Sequence, residues 1–163
     1  MQNIRTLALA TACVAALCTA GAAHAAQAAQ ITVDMHLAET SGPGKDIGTI
    51  AFEDTDKGLS IRPRLMHLHE GLHGFHVNES ARCAAGTKNG EAVPALAAGG
   101  PLGPVTTVKK DGKATQARKG DLPGLYVHYD GMAYTPTVAP HLKTADLKGH
   151  AIIIEALGPA YDD

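Results

Sequence analysis

The sequence has no tryptophan and few other aromatic residues, with two Phe and four Tyr among 163 residues. A core with so few aromatic rings must be built mainly from aliphatic side chains. Basic residues are not in excess either, since 14 Lys and Arg face 16 Asp and Glu, a net charge of −2. This balance gives no indication of a nucleic-acid partner, because such domains usually carry a basic face.

Acidic residues are absent from the first 25 positions, where Arg5 is the only charged side chain. An apolar run extends from Leu7 to about Ala20, and Ala23-His24-Ala25 has the small-x-small form of a cleavage site. These features predict a secretory signal peptide over residues 1–25, export to the periplasm and one domain over residues 26–163. The run is short for a bilayer, and no later run is long enough, so we expect no membrane span.

Cysteine is scarce, because two of the three cysteines lie in the predicted signal peptide and only Cys83 follows it. An exported protein with one cysteine has either a free thiol or a bridge to another chain.

No segment has the hydrophobic period of a helix, whereas Ala29 to Ala38 alternates apolar and polar residues as a strand does. Residues 80–122, rich in Gly and Pro, are predicted to form a long functional loop. Asp130-Gly131 indicates a hairpin between two further strands, and Gly42-Pro43-Gly44 a turn. The pattern predicts an all-β sandwich or barrel. Its other strands are expected at Ile47 to Asp54, Leu59 to Pro63, Leu72 to Asn78, Leu125 to His128, Ala133 to Val138 and Gly149 to Ala156.

The segment Gly71-Leu72-His73-Gly74-Phe75-His76-Val77-Asn78 resembles the signature G-x-H-G-F-H-x-H of the bacterial periplasmic Cu/Zn superoxide dismutases. The resemblance implies an eight-stranded Greek-key β-barrel that holds one copper and one zinc and disproportionates superoxide. Five further segments agree with the family in order: Asp56-Lys57-Gly58-Leu59, Ala92-Val93-Pro94-Ala95 with the following Ala97-Ala98-Gly99-Gly100, Gly120-Asp121-Leu122-Pro123, Val138-Ala139-Pro140-His141-Leu142-Lys143 and Leu147-Lys148-Gly149-His150-Ala151.

The resemblance implies copper ligands at His76 and His150, but Asn78 stands where the family has another copper histidine. Pro101 stands at the position of the histidine that bridges the two metals, and a proline side chain cannot bind a metal. We therefore expect a copper site with half of its family ligands.

The zinc site is expected to be lost. Its remaining histidines fall near Lys110 and Arg118, and residues 77–127 contain no histidine. Asp121 matches the zinc carboxylate, and we interpret it as a vestige of the site, pairing with nearby basic groups.

The resemblance further implies a C-terminal loop with a substrate-guiding arginine and a last strand with a cysteine that pairs with Cys83. The sequence has neither after Ala156, so we expect a shortened family member that lacks the last strand. Open sheet edges favour pairing with another chain. A homodimer through that edge or through Cys83 is the predicted assembly.

Two additional histidines, His67 and His69, would point to one side of an extended segment and add copper ligands, with Met66 as a soft donor. The alternative is that both are ordinary surface residues. His73 has an alternative as well, because the matching family histidine hydrogen-bonds the backbone.

Three functions stay open at this point. The first is a superoxide dismutase-like copper-binding protein with little or no dismutase activity. The second is a weakly active copper-only superoxide dismutase. The third is a non-catalytic interaction module, which includes binding haem between subunits.

Overall fold

A computed structural model describes residues 30–110 and 112–156 of the chain. The predicted signal peptide lies outside the described residues. Strands make up most of the described elements, with two short 3₁₀ turns at Leu96–Ala98 and Thr144–Leu147. The strands are β1 (Gln30–Glu39), β2 (Gly42–Thr55), β3 (Gly58–Leu65), β4 (Gly71–His73), β5 (Phe75–Val77), β6 (Gly86–Lys88), β7 (Glu91–Val93), β8 (Thr106–Lys110), β9 (Lys113–Ala117), β10 (Leu125–Val127), β11 (Thr137–Ala139) and β12 (Ile152–Ile154).

One antiparallel sheet has the order β1-β2-β3-β11. Phe52 in β2 lies opposite Ile31 in β1 and Ile61 in β3, so the apolar positions of three strands share one face. Because side chains alternate along a strand, this face is buried while the other stays in water. The alternation of the sequence thus correctly predicted the first three strands.

Short strands cover the buried face of this sheet, namely the pairs β4–β10 and β5–β12. The core between the layers is aliphatic apart from Phe52 and Phe75, as the scarcity of aromatic residues predicts. The all-β sandwich or barrel architecture is therefore confirmed. No helix within the described residues is long and apolar enough to cross a membrane.

Four local predictions are corrected by the pairing. The strand predicted from Leu72 to Asn78 divides at Gly74, because its halves pair with different strands. Asp130-Gly131 forms a turn, but the strands on either side pair with β4 and β3 rather than with each other. Gly42-Pro43-Gly44 is part of β2. Residues 80–122 contain two hairpins, β6–β7 and β8–β9.

β1 pairs only with β2, and β12 pairs only with β5, among the described strands. Residues of both strands line a cleft of about 940 Å³, which we call the apolar cleft. Its wall is formed mainly by aliphatic side chains, including Ile31, Val33, Met35, Ile152 and Ile154. The cleft is an incompletely covered part of the core.

The 3₁₀ turn at Thr144–Leu147 is attached to the barrel by carboxylates. Both oxygens of Asp54 accept hydrogen bonds from Thr144, at 2.7 Å from N–H and 2.9 Å from Oγ1–H. Asp146 accepts one from Lys119 Nζ at 2.5 Å and one from the Lys143 N–H at 2.9 Å. The hydrogen bond from Lys119 is the main reason that the pKa of Asp146 lies below its ordinary value, and the Lys143 N–H adds to the effect.

Asp146→Asn is expected to lower the free energy of unfolding at pH 7 by at most about 1 kcal/mol, because the ion pair is solvent-exposed. A carboxyl whose pKa is lowered by folding stabilises the native state above its unfolded pKa of about 3.9. That stabilisation is lost as pH falls through the lower, folded pKa. Urea unfolding from pH 7 to pH 3 should therefore show the unfolding free energies of wild type and Asp146→Asn converging below about pH 4. A difference in unfolding free energy that stays constant from pH 7 to pH 3 would contradict the assignment of this stabilisation to the Asp146 carboxylate.

Candidate metal centre

His76, in the middle of β5, has a half-buried ring that lies between two carboxylates. Its Nδ1 is 3.1 Å from Oδ1 of Asp121, and its Nε2 is 3.4 Å from Oε1 of Glu155. These are the two atoms that an imidazole offers to a metal. We call His76, Asp121 and Glu155 the carboxylate–imidazole cluster.

Asp121 reaches His76 because the loop before it is pressed against β5. The Val77 N–H donates to the Gly120 carbonyl at 2.8 Å, and the Gly120 N–H donates to the Leu102 carbonyl at 2.8 Å. A Cβ at position 120 would lie 2.2 Å from the Val77 carbonyl oxygen, so only glycine fits there. The second oxygen of Asp121 accepts the Arg118 N–H at 2.7 Å. The predicted pairing of Asp121 with basic groups thus involves the backbone of Arg118 rather than its guanidinium.

Glu155 was not identified as a site residue from the sequence. It follows β12, whose pairing with β5 places Ile153 opposite His76. The Glu155 N–H donates to the Gly74 carbonyl at 2.9 Å, and a Cβ at position 74 would lie 2.5 Å from Oε2 of Glu155. The glycine at position 74 therefore makes room for this carboxylate. Only the strand pairing, which the sequence did not reveal, brings the two side chains together.

Asn78 fastens the neighbouring loop to the barrel. Its Nδ2 donates to the Gly99 carbonyl at 2.7 Å, and it forms an isolated β-bridge with Pro101. Its Oδ1 is buried and has no hydrogen-bond partner among the described residues. Asn78 thus connects loop and strand through an amide, at a position where the resemblance implies a copper ligand.

His150 precedes β12, and its ring contacts the backbone. Its Nδ1 lies 2.9 Å from the Asn78 carbonyl oxygen and 3.1 Å from that of Glu79. The ring also lines the apolar cleft, together with His67 and His69. Glu155 of the carboxylate–imidazole cluster lines the same cleft, so the cluster borders it.

The segment around His67 and His69 is not extended. The prediction that both side chains point to one side assumed an extended segment, and that assumption is wrong. His67 has φ of 65°, and both side chains are exposed. The His69 carbonyl lies 2.8 Å from Nε2 of His73, whose Nδ1 lies 2.6 Å from the Glu155 carbonyl. The backbone-binding interpretation of His73 is therefore confirmed.

Comparison with known proteins accounts for the fold. The family model for copper/zinc superoxide dismutase matches residues 47–162. The chain belongs to the copper/zinc superoxide dismutase family. Superoxide dismutase (Cu-Zn) 2 of Salmonella typhimurium strain LT2 is 42% identical over 149 residues, which cover 91% of this chain and 86% of that protein.

Two solved structures have the same architecture. The Cu/Zn superoxide dismutase from Brucella abortus matches with a TM-score of 0.73 and 38% identity, covering 83% of this chain and 88% of that one. The monomeric copper, zinc superoxide dismutase from Salmonella enterica matches with a TM-score of 0.68 and 42% identity, covering 77% and 82%.

The family implies binding of copper and zinc, but the residues around His76 do not fit a two-metal centre. Copper favours imidazole and zinc takes imidazole together with carboxylate, whereas the atoms beside His76 are carboxylate oxygens only. Asn78 and Pro101 supply no imidazole to the centre, and the buried Oδ1 of Asn78 is a weak donor. Within residues 30–110 and 112–156, no three or more His, Cys, Asp and Glu side chains converge on a point that a metal could occupy.

Proposed function

We propose that this chain is an exported superoxide dismutase-like protein that binds copper weakly and has little or no dismutase activity. The observation that carries the proposal is the surroundings of His76. This is the one copper position of the signature that still holds a histidine, and its ring lies between two carboxylates. Carboxylate oxygens of Asp121 and Glu155 lie beside Nδ1 and Nε2 of His76, where a metal bound to either nitrogen would lie. Weak copper binding rests on His76 and on the His150 ring, with His67 and His69 as low-affinity additions at the apolar cleft.

Dismutation requires a copper ion whose two oxidation states have comparable energies. Imidazoles serve both states, whereas carboxylates belong to harder cations such as magnesium and manganese. The loss of imidazoles at Asn78 and Pro101, with carboxylates beside His76, therefore disfavours one half of the cycle. Zinc has even less support, because Asp121 already binds His76 and the Arg118 N–H.

A weakly active copper-only dismutase is the second candidate, and one observation favours it. His76 is half-buried rather than sealed in the core, and Glu155 beside it lines an open cleft. A small anion therefore has a route to a copper ion at His76. No comparable observation supports haem binding, which is tested only as one outcome of the metal analysis.

The deciding experiment is metal analysis of protein recovered from the periplasm, followed by copper titration of wild type, His76→Ala, His150→Ala and His128→Ala. We expect at most one weakly held copper, lost in His76→Ala, held more weakly in His150→Ala and retained in His128→Ala, whose ring stacks on Tyr134 and does not line the apolar cleft. Copper-loaded protein should remove superoxide no faster than the same copper with a chelator.

Four outcomes would contradict the proposal or a part of it. Stoichiometric copper and zinc with rapid superoxide removal would show a working two-metal enzyme, and a haem absorption band would show the third function. Copper binding that is equal in His76→Ala and wild type would remove His76 from the site. Recovery from the cytoplasm with residues 1–25 intact would contradict export.

Assembly is part of the same proposal. The free edges of β1 and β12, or the exposed Cys83, would join two copies. Size-exclusion chromatography with and without a reductant separates these routes, because only a disulfide dimer dissociates on reduction. A monomer under both conditions would contradict the dimer, and would match the monomeric Salmonella enterica relative.

A further inference from the structure

The apolar cleft runs along the edges of two strands rather than across one face of a sheet. A groove on a face is lined by every second residue of a strand, because side chains alternate between the two faces. Here the lining includes consecutive residues, 33–38 in β1 and 151–156 in and around β12. Residues of both faces therefore border the opening, which places the cleft between the edges of β1 and β12.

The edge of β12 at the cleft has backbone groups that point away from β5. The N–H groups of Ala151 and Glu155 donate, at 3.0 and 2.9 Å, to carbonyls just beyond the two ends of β5. The N–H and C=O groups of successive residues point to opposite edges of an antiparallel strand. Those of Ile152 and Ile154 therefore point towards the other edge, where β12 has no partner among the described strands.

β1 offers a second free edge. It pairs only with β2 in the described part of the chain, and its register is regular from Gln30 to Met35 before two shifts around His36. Edge strands of natural proteins are usually protected from further pairing by lysine, proline or a bulge. Residues 30–35 have none of these, and neither have the three isoleucines Ile152–Ile154. Both edges are thus open to an additional strand.

The inner side of the cleft is apolar and incompletely covered. Ile31, Val33 and Ile154 pack against the core and are still partly exposed to water. Apolar side chains at alternate positions of an added strand would cover them, and the burial of apolar surface is the main driving force of association.

The charged side chains at the cleft determine what suits the outward positions of such a strand. Asp34, Glu155 and Lys148 line the cleft, which gives a small excess of negative charge when histidines are counted as neutral. Opposite charges on neighbouring strands attract, so basic side chains fit these outward positions better than acidic ones.

We propose that the apolar cleft binds an extended segment of another protein as an added β-strand. Apolar side chains at alternate positions of the segment face the core, and polar or basic side chains between them face water. Its backbone hydrogen-bonds with β1 on one side and with β12 on the other. A small apolar molecule would leave both edges unpaired, so the free backbone groups favour a peptide. A bound segment also prevents two copies from pairing through these edges.

The test measures, by fluorescence anisotropy, binding of the purified protein to a labelled synthetic peptide of about eight alternating valines and lysines, which at about 3.4 Å per residue spans either edge. A second peptide is N-methylated at alternate residues, which removes the N–H donors of one edge and keeps every side chain. One hydrogen bond contributes about fivefold to an equilibrium constant, so the loss of two should weaken binding about 25-fold. Bound peptide should also slow the reaction of Cys83, which lines the cleft, with a thiol reagent.

The protein variants are Val33→Lys and its matched control Thr32→Lys. Val33→Lys places a charge where an apolar side chain of the peptide would pack and should weaken binding about tenfold or more. Thr32→Lys adds the same charge to the same strand at an exposed position outside the cleft, and should bind within about twofold of wild type.

The proposal would be overturned by absence of binding, by equal binding of the N-methylated peptide, by equal losses in the two variants or by unchanged reactivity of Cys83. A dimer that Val33→Lys dissociates and Thr32→Lys retains would overturn it as well, because a second copy would then fill the cleft.

Discussion

Phe52→Ala should lower the free energy of unfolding by about 3–5 kcal/mol, the usual cost of removing a buried aromatic ring. Phe52 is fully buried in β2, between Ile31 and Ile61 on its neighbours. Phe75 is the one other aromatic ring in the core of the described residues, so few large side chains are available to refill the cavity. The free energy of unfolding of a small domain is only about 5–15 kcal/mol in total. The variant should therefore unfold at a far lower urea concentration than wild type.

The control for this prediction is Tyr129→Ala, which removes a ring that is 91% exposed. Its unfolding free energy should stay within about 0.5 kcal/mol of wild type. Phe52→Leu, which keeps most of the buried volume, should fall between the two. A loss below 1 kcal/mol for Phe52→Ala, from urea curves of unchanged slope, would mean that the layers do not meet at Phe52.

Glu155→His should raise the affinity for copper(II) by at least tenfold, about 1.4 kcal/mol. The substitution places a second imidazole beside His76, where Oε1 of Glu155 now lies 3.4 Å from Nε2. Imidazole is a better copper ligand than carboxylate. Competition titration against a chelator of known affinity measures the change, and the copper(II) absorption spectrum reports the added nitrogen.

A second pair of variants tests which histidine the new imidazole joins. His150→Ala in the Glu155→His background should retain the gain, since Nδ1 of His150 contacts the carbonyls of Asn78 and Glu79. His76→Ala in that background should lose it. The opposite pattern would show that the new imidazole binds copper with His150 rather than with His76, and would contradict the prediction.

Local patterns were sufficient to predict the first three strands of the first sheet. β1 and β3 alternate apolar and polar residues, and the hydrophobic effect acts directly on that alternation. The division of the signature segment at Gly74 was missed, because strands with different partners can follow one another without a change in composition. The β8–β9 hairpin was missed because an exposed hairpin has little hydrophobic pattern.

Prediction of the site from local sequence was limited in the same way. His76 was predicted from its motif, and the role of His73 from the family. Glu155 reaches His76 through pairing between β12 and β5, which are more than 70 residues apart in sequence. A residue whose function depends on such a long-range contact has no local signal. The contacts of His150 with the Asn78 and Glu79 carbonyls likewise depend on backbone positions that a sequence does not state.

The loop from Gly99 to Asp121 is hydrogen-bonded to the barrel through Asn78, Gly120 and the carboxylate–imidazole cluster. In a metalloprotein whose loops are ordered mainly by their ions, the yield of native protein follows the supply of those ions. Here hydrogen bonds of the protein itself hold part of the loop in place. The amount of folded protein should therefore depend less on the metal supply of the cell than it does in such a protein.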